Sequence, residues 1–132
     1  YDTDGKPHLS DQKYISISHS FEYVAIVISD SEVGLDLEKE RSKIQRITSK
    51  FLHPSEYSLA DSDRTLTSLW CMKEAAYKLV GQKGLSFLKH IRISNTHSKH
   101  PTTTIKIGDQ LILLTNWLFS WENYSCALTL KK

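Results

Sequence analysis

The sequence predicts an α+β fold, a mainly antiparallel sheet packed with two or three helices. Three observations lead there. In 14–18 and 33–38 side chains alternate with the period of two that puts one strand face in a core, and 23–28 between them is a β-rich apolar run. From 44 to 80 apolar residues recur at three- and four-residue spacing, the period of a helix buried along one stripe. After position 87 the strand pattern returns and runs to the end. Strands and helices segregated in this way point to an antiparallel sheet with helices packed on it.

Residues 2–13 are polar, and Asp4-Gly5-Lys6-Pro7 is a turn signal. The first strand covers 14–18, with Ile15 and Ile17 on one face, and the nearly continuous apolar run 23–28 reads as a buried strand. After the turn Asp30-Ser31-Glu32, a third strand sends Val33, Leu35 and Leu37 one way and Gly34, Asp36 and Glu38 the other. Ile44, Ile47 and Phe51 mark a helix, and Pro54 suits the first turn of a short one holding Glu56 and Tyr57. A longer helix is expected over about 65–80, with Asp63 as N-cap and Gly81 as its left-handed stop. Strands follow at 90–94, 103–107, 110–115, 117–121 and 124–130, and 95–104 reads as a mobile loop. There is no internal repeat.

The 132 residues suffice for one domain with a real core. A net charge of +2 is too small an excess for a dedicated nucleic-acid binder. No apolar run reaches transmembrane length, and no signal-peptide pattern is read. Cys71 and Cys126 form neither a C-x-x-C pair nor a disulfide framework, which fits a reducing, cytoplasmic compartment. The histidines make no H-E-x-x-H, and His97 and His100, in a polar stretch, are expected to face water. The turn from Gly81 to Gly84 is not a phosphate-binding G-x-x-x-x-G-K-[ST] loop.

Charge is patterned in two places. Asp36 and Glu38 stand side by side on one strand face, either as a solvated edge or as paired ligands, and Gly34 before them lets a ligand or a backbone come close. Trp70, Lys73, Glu74, Tyr77 and Lys78 share one face of the long helix. A face both aromatic and charged suits a cleft wall better than open surface. If that wall meets the strand, Asp36, Glu38 and Glu74 converge as oxygen-only donors, a set suited to Mg²⁺ sharing its remaining positions with water and substrate phosphate. Lys73 and Lys78 then flank the site as cations for phosphate oxygens. This combination suggests phosphoryl-group chemistry rather than zinc hydrolysis. Lys6 in its rigid turn and Ser16-Ile17-Ser18-His19-Ser20 at a strand end fit the same picture, although a lone histidine is more often an ordinary packed or exposed side chain.

Taken in order, GKPHL (5–9), SISHS (16–20), VGLDLE (33–38), FLHPSEY (51–57), LWCMKEAAYK (69–78), GLSF (84–87) and YSCALTL (124–130) resemble the 4′-phosphopantetheinyl transferase superfamily. The GKP and SHS pieces resemble its long, Sfp-like type rather than the short holo-carrier synthase type. The resemblance implies Mg²⁺-dependent transfer of phosphopantetheine from coenzyme A to a serine of an apo acyl or peptidyl carrier protein. It implies that Asp36, Glu38 and Glu74 bind the metal. Lys6, Ser18 and His19 would contact the nucleotide end of coenzyme A, with His19 near its 3′-phosphate, and Lys73 and Lys78 would lie near the phosphates. The proton of the attacking serine would go to Glu56, Glu74 or a metal-bound hydroxide.

Long-type members resemble two similar α+β halves with the site between them. Residues 1–30 resemble the tail of the first half and 31–132 the second, so most of the first half is expected to precede Tyr1. Self-association through the incomplete half is the matching expectation. The rival readings are a non-catalytic coenzyme A or nucleotide-binding remnant of the same fold, another Mg²⁺-dependent phosphotransferase, and a structural α+β domain.

Overall fold

The computed structural model describes residues 9–132. In chain order the elements are β1 (Tyr14–Ser20), β2 (Tyr23–Ser29), β3 (Val33–Lys39), α1 (Ile44–Phe51), a 3-10 turn (Pro54–Leu59), α2 (Asp63–Val80), α3 (Phe87–His90), β4 (Ile91–Ser94), β5 (Thr102–Ile107), β6 (Gln110–Trp121) and β7 (Tyr124–Lys131). The α+β expectation holds. Five strands form one antiparallel sheet in the order β3-β7-β6-β5-β4, and β1 and β2 form a separate hairpin.

Helix α2 crosses one face of the large sheet and buries Leu69, Met72, Ala75, Ala76 and Leu79 against Ile91, Ile93, Ile105, Leu114 and Ala127. Gly34 is where helix and strand come closest. A Cβ there would sit 1.9 Å from the Ala75 carbonyl oxygen, so what the glycine admits is a backbone. On the opposite sheet face, Leu35, Leu37, Tyr124 and Cys126 are covered by Tyr23, Ala25 and Val27 of the hairpin.

The hairpin reaches the sheet without a backbone ladder. The N–H groups of Leu35, Leu37 and Lys39, on the open side of edge strand β3, donate to the hydroxyls of Ser16 (3.0 Å), Ser18 (2.8 Å) and Ser20 (2.9 Å). Side-chain oxygens at every second residue of β1 stand in for the carbonyls of a neighbouring strand, so the edge is satisfied and covered.

Several boundaries differ from expectation for local reasons. Helix α2 begins at Asp63, and its N-cap is Ser62, whose hydroxyl accepts from Thr65 N–H in a capping box. Gly81 does end it, at φ 66°. Leu85 is followed by the short α3, capped by Ser86, before β4 starts. The two strands expected at 110–115 and 117–121 are one, because Asn116 is a buried junction rather than a break. Its Nδ2 donates to Pro101 O (3.0 Å) and Thr103 Oγ1 (2.8 Å), and its Oδ1 accepts from Thr129 Oγ1 (2.5 Å).

Candidate active site

Alternation along β3 sends Asp36 and Glu38 toward α2, and Glu74 and Lys78 meet them from the helix. Asp36 is 3% exposed. Its Oδ1 accepts from Lys78 Nζ at 3.1 Å and, more weakly, from the Ser18 hydroxyl at 3.4 Å. Its Oδ2 is buried with no hydrogen-bond partner. Burial pushes the Asp36 carboxyl well above the usual carboxylate range; the charge of Glu38 and then Glu74 push the same way, and Lys78 opposes them. Burial also raises Glu74, with Lys78 opposing and Glu38 adding to the rise. These three acids therefore lie within one another's fields, short of positive charge.

A hard cation fits that environment. The unpartnered Oδ2 of Asp36 lacks a positive partner, and the donors are carboxylate oxygens throughout. Among the described residues no three acidic, histidine or cysteine side chains are already set in a cation-holding arrangement, so the acids form a charged neighbourhood and not a closed cage. Lys78 is the cation already present. Its ammonium donates to Asp36, to Leu35 O (3.0 Å) and to Ile17 O (3.4 Å), bridging β3 and β1.

The five-residue helix face read from the sequence is divided in two. Glu74 and Lys78 turn toward β3. Lys73 turns away and is fully buried, donating to Phe51 O (2.7 Å), Glu56 Oε1 (2.7 Å) and Phe87 O (3.0 Å). Glu56 also accepts from His53 N–H (2.9 Å) and Ile93 N–H (2.8 Å). Trp70 and Tyr77 follow Lys73, packing on Phe87 with ring centroids 5.3 and 5.7 Å apart. The cause is the arc these residues cover, wide enough for two neighbours to share: α1, the 3-10 turn and α3 take one part and β3 the other.

Of the remaining expected residues, His19 is exposed on the outer face of the hairpin, opposite Val24. Ser18 is buried, with its hydroxyl on Leu37 N–H and Asp36. Lys6 and its turn lie outside the described residues.

The sequence reading passed over two features. One is the serine ladder, whose signal was the S-x-S-x-S alternation in 16–20. The other is a cleft of about 150 Å³ beside Glu38, whose lining includes the basic Lys39, Arg41 and Lys43 and the apolar Ile44, Ile47 and Trp70. Its signal was the basic run that follows the two acids in Glu38-Lys39-Glu40-Arg41-Ser42-Lys43.

The family model described as the 4′-phosphopantetheinyl transferase superfamily matches residues 32–129 and so takes in β3, α2 and all three acids. The chain belongs to that superfamily. It is 33% identical over 84 residues to 4′-phosphopantetheinyl transferase gsp of Aneurinibacillus migulanus, covering 59% of this chain and 35% of that protein. It is 36% identical over 90 residues to 4′-phosphopantetheinyl transferase Sfp of Bacillus subtilis, covering 62% of this chain and 40% of that one. The chain thus spans well under half the length of these curated relatives. The fold is similar to that of Helicobacter pylori holo-[acyl-carrier-protein] synthase, solved in complex with coenzyme A. That match has a TM-score of 0.61 at 22% identity and covers 76% of this chain and 99% of the synthase.

Proposed function

We propose that the protein transfers the 4′-phosphopantetheine group from coenzyme A to a serine hydroxyl of an apo acyl or peptidyl carrier protein. The observation that carries this reading is the acidic neighbourhood of Asp36, Glu38 and Glu74, with its unpartnered Oδ2, inside the segment matched by the family. In this reading those three acids hold Mg²⁺, which when bound offsets charge on the coenzyme A pyrophosphate. The serine oxygen forms a bond to the pantetheine-side phosphorus, the bond to the bridging oxygen breaks, and adenosine 3′,5′-bisphosphate leaves. Glu74 is the better placed of the two acids proposed as base, since it lies with Asp36 and Glu38 while Glu56 is buried under α2 on Lys73. Glu56 and Lys73, bonded to each other under α2, are read as the support that fixes the helix carrying Glu74, and Lys73, fully buried on three internal acceptors, is not read as the cation for the coenzyme A phosphates that the resemblance implies. Lys78 keeps Asp36 in place, and in this reading it turns one of its three N–H donors, now on Asp36, Leu35 O and Ile17 O, to a phosphate oxygen. His19, exposed on β1, is read as the contact for the 3′-phosphate.

The domain reading stays as proposed from the sequence, with 31–132 as the second half of a long-type fold and 1–30 as the tail of the first. The start of the family match at residue 32 supports it. No helix among the described residues is long and apolar enough to cross a membrane. The two cysteines are free and buried, and a reducing cytoplasm is the proposed compartment.

The test is turnover of coenzyme A with an apo carrier protein and Mg²⁺, beside a binding comparison of coenzyme A with ATP. Preference for ATP removes the reading in favour of another phosphotransferase. Coenzyme A binding without transfer reduces the protein to a non-catalytic remnant of the same fold.

A further inference from the structure

The seam between β1 and β3 is a second use of polar side chains beside the acids. The three serine hydroxyls occupy the same role along the ladder, each accepting one N–H of β3. They differ in where the hydroxyl proton goes. Ser18 alone of the three aims it at a side chain of the acidic neighbourhood, Asp36 Oδ1, across a long 3.4 Å contact. It also accepts from the N–H of Leu37, the residue that joins Asp36 to Glu38, at 2.8 Å. Lys78 closes the seam from the other side through Leu35 O and Ile17 O. One hydroxyl thus touches the backbone between two of the acids and the carboxylate of one.

We infer that Ser18 is a positioning residue for the acidic site. Its hydroxyl fixes the backbone angle at which Asp36 and Glu38 leave β3 and, through the longer contact, adds to the hold of Lys78 on the rotamer of Asp36, so the hairpin is part of the cation site without supplying a ligand. Ser16 and Ser20 serve docking only. The reasoning is geometric: an oxygen donor that must share a cation needs its free lone pairs aimed, and a hydrogen bond to the other oxygen of the same carboxylate does the aiming. On Asp36 the bonded oxygen is Oδ1 and the free one is Oδ2. The inference rests on the metal-binding part of the proposed function.

Two measurements on the 132-residue chain test it. The first is amide hydrogen exchange without metal. Leu35, Leu37 and Lys39 N–H should exchange slowly, and Ser16→Ala, Ser18→Ala and Ser20→Ala should each speed the partner amide of that serine. Fast exchange at all three in the unmodified chain overturns the ladder. The second is Mn²⁺ affinity by paramagnetic titration, alone and with saturating coenzyme A but no carrier protein. Ser18→Ala should weaken Mn²⁺ by about tenfold, Ser16→Ala and Ser20→Ala by less than about twofold, and Ser18→Thr should restore it. Should Ser18→Ala not fold, Ser18→Cys keeps the volume with a much weaker hydrogen bond and takes its place. Equal Mn²⁺ affinity in all the alanine variants, or equal losses in all of them, overturns the positioning role and leaves the metal reading standing. An unmodified chain that binds no Mn²⁺ under either condition, with Asp36→Asn identical to it, overturns both.

Discussion

Asp36 and Glu74 show how a site can work against the stability of its own protein. Both carboxyls are raised, chiefly by burial, above ordinary values of 3.8 and 4.5. The folded protein therefore keeps protons that the unfolded chain has already released. The contribution is full below the ordinary carboxylate range and is lost as pH rises through the raised values. Thermal melts of the metal-free protein from about pH 4 to 8 should show a falling midpoint, and Glu74→Gln should flatten part of that fall. A midpoint that climbs across the range would mean that other groups outweigh these two. The same variant, and Asp36→Asn, should lower turnover by about a hundredfold or more while the fold survives, because a neutral amide removes both repulsion and a ligand. Near-normal turnover in Asp36→Asn with Mg²⁺ would leave the three acids without a catalytic role. His19→Ala should weaken coenzyme A far more than 3′-dephospho-coenzyme A, by about 1.5–3 kcal/mol for a charge-assisted hydrogen bond and less at an exposed edge. Equal losses for the two ligands would make His19 structural. At this scale the acids were legible because a two-residue spacing on a strand fixes a shared face whatever the tertiary context. The bonds of Lys73 were not, since its three acceptors come from Phe51, Glu56 and Phe87, residues that only the fold brings together.

Periodicity gave the helices and strands, and contacts between elements decided what it could not. Asn116 reads as a strand break, yet it bonds Pro101, Thr103 and Thr129 across three segments and keeps β6 whole. Asp63 and Ser62 are both good caps by residue type, and the reciprocal bonds with Thr65 chose Ser62. The packing of β3 on α2 has its own test. Gly34→Ala puts a methyl where Ala75 O already stands, at 1.9 Å, and neither partner is a flexible side-chain end. The helix must move off the strand, at a cost of about 1–3 kcal/mol, and Glu74 moves with it. A lower melting midpoint together with lower turnover is expected, whereas a wild-type midpoint would show that the two elements separate freely. On the other flank of α2, Lys73→Met leaves Glu56 charged and buried without its ion partner, which should cost about 3–5 kcal/mol. A loss below about 1 kcal/mol would mean that the pair is not a support for the helix.

Over the whole molecule, the hairpin has two faces with different fates. Tyr23, Ala25 and Val27 are spent on the sheet. The outer face pairs Ile15 with Ile28 and Ile17 with Ile26 directly across the two strands, with His19 opposite Val24. Val24, Ile26 and Ile28 are 67%, 60% and 57% exposed, so the apolar run 23–28 is not the buried strand expected of it but covers the sheet with one face only, and Phe21 in the turn is 62% exposed. A second apolar row, Leu111, Leu113 and Phe119 on β6, is also open. Contiguous apolar surface of this kind favours association, and strand pairs whose side chains oppose one another directly make the more compact patch. The 132-residue chain in isolation is therefore expected to associate through the hairpin, with the apparent mass by light scattering rising with concentration. Ile26→Lys, which puts a charge at the centre of the patch, should return the monomer mass, and Leu113→Lys on β6 should not. The two substitutions separate the surfaces because they lie on different strands of different sheets. Association abolished by Leu113→Lys and untouched by Ile26→Lys would move the contact to the large sheet, and a monomer at every concentration would show that the outer hairpin face tolerates water.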